Sequence, residues 1–170
     1  MFSELNDFIN LPENIEYLFN NIVLDTASFL CALSCFKKKN IVLDEFLFYY
    51  SLSASYVDLK VDNNTLNFGI QNAKYEPDSL CLYINDHAQF ILTYLANNEL
   101  IYLSVDKSKY PYNILVSISN EGKKHVEKFQ NVYFYELIER TKEVIKSVKY
   151  TKYNRDKVFR GDYYDAYENT

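Results

Sequence analysis

Cys31 and Cys35 stand four residues apart in TASFLCALSCF, a spacing that puts both on one face of a predicted helix. Thiolates so placed are two of the four ligands that a structural zinc takes, but no His or Cys cluster supplies the others. Buried structural thiols are therefore expected. His87 and His125 fall near the starts of two predicted helices, without a Cys, Ser or paired carboxylate at a dyad spacing. Asp44-Glu45 is accounted for by a helix start, where negative charge is favoured. No G-x-S-x-G, glycine-rich phosphate loop or H-E-x-x-H is present. These residues predict a chain that is not an enzyme, with no metal or cofactor site.

The remaining chemistry is cationic. Lys107 and Lys109 lie in the polar stretch DKSKYPYN beside Tyr110 and Tyr112, and Lys123, Lys124 and Lys128 follow on the next predicted helix. Ammonium groups at a hairpin tip, and Lys123 and Lys124 behind it, can contact DNA phosphates, an attraction that is salt-sensitive and blind to sequence. The run Lys37–Lys39 is explained by the negative end of a helix dipole. Reading bases needs more. The preceding helix, AQFILTYLANNE, has no Arg or Lys, and only Gln89, Asn97 and Asn98 could address base edges. Sequence-specific DNA recognition is not expected of it. Protein binding is.

These residues must be held by a helix, two strands and a second helix between Asn85 and Phe129. Asp86 and Gln89 have capping-box spacing, and Phe90, Ile91, Tyr94 and Leu95 recur at helical period. Asn97-Asn98 is a stop signal. Leu100–Val105 and Ile114–Ile118 are β-rich runs around the loop of Pro111, and Ser119 or Asn120 caps the helix that follows. The expected fold class is α+β, mainly helical, a winged-helix-like core with a β-hairpin wing and a long C-terminal helix. That last helix keeps its apolar period from about Asn120 to Tyr150, with a break expected, if anywhere, around Asn131.

Upstream, Asp25 or Thr26 is the predicted cap of a helix with the stripe Phe29, Leu30, Leu33 and Phe36. Asp44 caps DEFLFYYSLSAS, apolar nearly all round, which makes it either the centre of the core or partly an interface. Tyr56–Val61 and Leu66–Ile70 read as a small hairpin turning at Asn63-Asn64, and Lys74–Asp78 as loop. Residues 1–24 read as two helical pieces broken at Leu11-Pro12. The reading places one winged-helix-like domain over residues 1–150. Residues 151–170 form a polar, Tyr-rich tail that is disordered or docks on a partner.

With 48% apolar residues, 170 residues can bury a core without cross-links. Three cysteines, an odd number without C-x-x-C, fit a reducing cytoplasm. No apolar run approaches the roughly 18 residues of a membrane span, so no membrane partner is expected. Net charge is −8 over residues 1–100 and +3 over 101–170. An acidic half argues against a protein that coats nucleic acid by itself.

Two patterns give the chain a familiar look. One is L-D-x-F-L-x-x-Y at Leu43, Asp44, Phe46, Leu47 and Tyr50. The other is L-x-x-N-x-L-I at Leu95, Asn98, Leu100 and Ile101, followed by I-S-x-E-G from Ile118 to Gly122. Over roughly residues 22–130 the chain resembles the small middle components of ABC-three-component systems, including the Lamassu type of bacterial antiphage defence. Asn98 stands where winged-helix chains often have Gly. The resemblance implies a non-catalytic adaptor that binds an SMC- or Rad50-like ABC ATPase and links it to an effector subunit, often a nuclease. Partner contacts are then expected from aromatics, with Phe46, Tyr49, Tyr50, Tyr163 and Tyr164 as candidates. A winged-helix DNA-binding transcriptional regulator is the alternative.

Overall fold

The structure is a computed structural model, which describes residues 21–55, 58–62, 65–69, 77–108 and 110–160. Of the two helical pieces expected over residues 1–24, residues 1–20 lie outside the described residues, as do the turn at Asn63-Asn64, Lys109, Tyr163 and Tyr164. The elements run α1 (Ile22–Ser34), β1 (Ile41–Val42), α2 (Leu43–Ala54), β2 (Asp58–Asp62), β3 (Thr65–Gly69) and α3 (Pro77–Asn97). They continue as β4 (Ile101–Asp106), β5 (Asn113–Ile118), α4 (Asn120–Val126), α5 (Val132–Ser147) and α6 (Lys152–Arg160). The fold is mixed α+β and mostly helical. β1, β5 and β4 form an antiparallel sheet in that order, while β2 and β3 pair separately, with Asp62 opposite Thr65.

α2 is the centre. Every residue from Phe46 to Ser53 is buried, because α1, α3, α5 and α6 all pack on this one helix. Phe29 and Phe46 meet edge-on at 4.5 Å and Phe46 stacks with Tyr50 at 5.9 Å, aromatic contacts that add to the area they bury. A second cluster joins Phe48, Tyr49 and Leu52 to Val144, Val148 and Val158. Of the two readings of this helix, the core holds.

Several local expectations need correction. α1 begins at Ile22, because the Asn21 side chain accepts from the Val23 and Leu24 amides at 3.2 Å, so Asp25 and Thr26 are inside the helix. Its last turn has no cation; Lys37–Lys39 lie beyond it, and Lys38 bonds Glu45 at 2.7 Å. α3 starts nine residues before Asp86, at Pro77, whose fixed φ and missing N–H suit a first helical position. Asp86 and Gln89 are therefore helix interior, and no capping box forms. The long last helix is two helices. Asn131 takes the amide of Tyr133 at 2.9 Å and starts α5 anew. Beyond Thr151, where the tail was expected, α6 forms: Asn154 and Val158 are buried, and Asn154 Nδ2 donates to Lys149 O at 2.9 Å.

The junction that holds the hairpin is built from the second of the two patterns, Leu95 to Ile101 with Ile118 to Gly122. At the end of α3, Glu99 N donates to Ala96 O and Leu100 N to Leu95 O, a Schellman closure with Glu99 at φ 57°. The left-handed residue is thus Glu99 and not Asn98. Ser119 Oγ donates to the Glu99 carbonyl at 2.7 Å and accepts from Gly122 N at 2.9 Å, while Ser119 N donates to Leu100 O at 3.0 Å. One buried hydroxyl caps α4 and fastens it to the end of α3. Because a side chain in the left-handed region costs about 1–2 kcal/mol, Glu99→Gly is expected to stabilise the fold by about 1 kcal/mol. The urea midpoint of the two proteins checks this.

Candidate protein-binding surface

The aromatic candidates on α2 are not at the surface. Phe46 is fully buried, and Tyr49 and Tyr50 keep 6% exposure. Tyr49 Oη donates to Val148 O at 3.0 Å, and burial raises both phenols above their ordinary pKa. An interface role for these three is corrected to a core role: Tyr spends its single polar atom on an internal carbonyl.

The cations do not converge. Lys107 is exposed at the hairpin tip, whereas Lys123 and Lys124 are exposed on α4, which starts at the hairpin base and packs on α1. Six-residue strands separate base from tip by roughly 20 Å. Lys124 is held by Glu121 at 2.6 Å, and that bond raises the lysine pKa and lowers the carboxyl pKa.

Two other places carry chemistry-bearing groups, the cysteine pair and a recess on α5. Cys31 is buried and Cys35 half-buried; burial drives their thiols up to about 12 and about 11. At pH 8 both are protonated, so a disulfide-exchange reagent is expected to label them only after denaturation. The sign for stability follows. Thiols raised in the fold favour it fully below the ordinary pKa of 9.0, and this contribution is lost as pH climbs from there toward 12. A denaturant midpoint falling over that alkaline range checks it, with both cysteines replaced by Ala as control. Among the described residues no group of three His, Cys, Asp or Glu could hold a metal ion. A shallow recess on α5 is lined by Glu136, Glu139, Arg140, Lys142, Glu143 and Lys146 of that one helix, with Lys142 bonded to Glu139 at 2.7 Å.

What α3 presents from Ala88 onward is aromatic and neutral. Ala88, Ile91, Leu92 and Leu95 turn inward at helical spacing, and Phe90 (57% exposed) and Tyr94 (41%) turn outward. Phe90 and Tyr94 were expected on the apolar core stripe. The four residues with an i, i+3, i+4, i+7 pattern are those beginning at Ala88, a small residue that hid the true phase. From Ala88 to Asn98 no residue is charged. The polar groups on this face are partly spent on the helix itself: Thr93 Oγ1 donates to Gln89 O at 2.7 Å and Asn98 Nδ2 to Tyr94 O at 2.8 Å. That leaves Gln89 and Asn97 to address a base edge.

The hairpin adds more exposed apolar surface. Tyr102, Leu103 and Val105 of β4 and Ile114 of β5 are exposed, and at the tip Tyr110 is 88% exposed with its ring 5.8 Å from that of Tyr112. Single exposed apolar residues need no explanation, but a helix face and an adjoining hairpin rich in them have the composition of an interface. Comparison of the chain with family models, curated proteins and solved structures gives no match. No helix of the described residues is long and apolar enough to cross a membrane.

Proposed function

We propose that this chain is a non-catalytic adaptor that docks on a protein partner through the outward face of α3. The observation that carries the reading is Phe90 and Tyr94, exposed side by side on a stretch without charge. Large aromatics concentrate binding energy at interfaces, whereas a DNA-facing helix needs cations for phosphate and free donors for bases. The order α1–β1–α2–α3–β4–β5 and the sheet order β1-β5-β4 support a winged-helix arrangement, with β2–β3 inserted between its second and third helices. In that arrangement α3 occupies the position of the recognition helix.

The resemblance to middle components of Lamassu-type systems supplies the partners: an SMC- or Rad50-like ABC ATPase and an effector subunit, a nuclease in many such systems, working in bacterial antiviral defence in the cytoplasm. The test is capture of co-expressed neighbouring gene products on the tagged chain, with Phe90→Asp and Tyr94→Asp as variants. Both are expected to lose the partner and to keep the wild-type melting temperature, since neither side chain is in the core. Capture unchanged by either substitution sinks the α3 surface.

The alternative, a winged-helix transcriptional regulator, draws on Lys107 at the exposed tip. Fluorescence titration with duplex DNA at low salt separates the two. A regulator binds tightly and loses affinity when Lys107 becomes Glu; the adaptor gives no saturable binding by the isolated chain.

A further inference from the structure

Among the described residues the edge of β4 away from β5 is unpaired, and it has the form of a homodimer interface. β4 is the outer strand of its sheet, and Tyr102, Leu103 and Val105 on it are exposed. The bond from Ser119 N to Leu100 O fixes the phase of the ladder. In an antiparallel pair, bonded and non-bonded residue pairs alternate, so Tyr102–Ser117, Ser104–Leu115 and Asp106–Asn113 exchange bonds across β4 and β5. Leu103 and Val105 belong to the other class: their N–H and C=O groups point away from β5, to the open edge. Edge strands are normally blunted by proline, by lysine within the strand or by a bulge. β4, IYLSVD, has none of these.

We propose that the occupant of this edge is β4 of a second copy of the chain, paired antiparallel about a two-fold axis. The register that satisfies the open groups sets Leu103 against Val105 of the second copy, with Ser104 meeting its own counterpart on the axis. Leu103 and Val105 from both copies then form one apolar face, and Tyr102 lies across from the carboxylate of Asp106, so no like charges oppose. The strand ends are complementary in charge. Glu99 precedes β4 and Lys107 follows it, both exposed and without an ion pair among the described residues. Antiparallel pairing brings the Lys107 end of each copy beside the Glu99 end of the other. A two-fold contact is self-complementary by construction, and this strand supplies both halves.

Sedimentation equilibrium of the full chain over a wide concentration range tests the proposal. The expected species is a reversible dimer of twice the 20.1 kDa chain mass. Val105→Pro removes an N–H that faces the open edge and none that faces β5, so it is expected to weaken association by at least about tenfold while the circular dichroism spectrum is kept. Should that variant fail to fold, the charge pair still decides. Lys107→Glu weakens the dimer, and Glu99→Lys combined with Lys107→Glu restores it. A monomer at every concentration overturns the proposal, and so does a dimer indifferent to the edge and charge variants.

Discussion

Gly122→Ala is expected to destabilise the protein by about 3 kcal/mol, the upper part of the range for overpacking a close site. Helix propensity alone points the other way, because Ala in a helix is favoured over Gly by about 1 kcal/mol. The sign is decided by the junction. A Cβ added at Gly122 overlaps the carbonyl oxygen of Leu100 and stands 2.8 Å from Ile118 Cγ1. That carbonyl accepts from Ser119 N, and Ser119 Oγ holds Gly122 N, so neither side can yield without breaking a buried bond. Urea unfolding measures the effect. A neutral or stabilised variant would mean that α4 is free to move off the end of α3.

Phe46→Ala is expected to cost about 3–5 kcal/mol, a large part of the roughly 5–15 kcal/mol that holds a domain together. The ring has no exposed surface and contacts Phe29, Phe36 and Tyr50 at 4.5, 5.8 and 5.9 Å. Phe29 is on α1, Phe36 lies just past its end and Tyr50 is on α2, and no small shift closes the cavity against four helices packed on α2. The outcome separates two roles for an aromatic on this helix. A core residue lowers the denaturant midpoint on truncation. An interface residue leaves the midpoint alone and weakens a partner.

The same helix marks how far sequence carries. Its run of Phe, Leu and Tyr located a helix without a polar face, but tyrosine is equally at home inside a core and at a wet interface. Only the tertiary position of Val148 O decides for Tyr49. The hairpin was legible because β-branched runs and the Pro111 loop are local signals, and the cap was legible to within one residue, Ser119 or Asn120, of which Ser119 takes the Gly122 amide. The start of α3 was not: Asp86-x-x-Gln89 imitates a capping box, while Pro77 reads as loop until its place at a first turn is known. The apolar period from Asn120 to Tyr150 reads as one long helix, yet the place of its break was legible at Asn131, whose side chain restarts the helix by accepting from Tyr133 N. α6 was hidden by its charge, since among its described side chains only Val158 and Asn154 are buried. Exposed aromatics were sought on the helix richest in them and at Tyr163 and Tyr164 of the tail; on α3 it is Phe90 and Tyr94 that are exposed, where two stripes overlap.

The patterns behind the family resemblance gain a physical meaning independent of it. Leu95, Leu100, Ser119 and Gly122 are spaced as they are because the end of α3 and the start of α4 lock onto each other. That lock fixes where the hairpin leaves the helices.

Native mass spectrometry of the tagged chain, purified after co-expression with its neighbouring reading frames, tests the adaptor reading most directly. The expected result is an assembly whose mass requires an ABC ATPase and which is lost when Phe90 is replaced by Asp. A chain recovered alone or only with a second copy, under the same conditions, would contradict it.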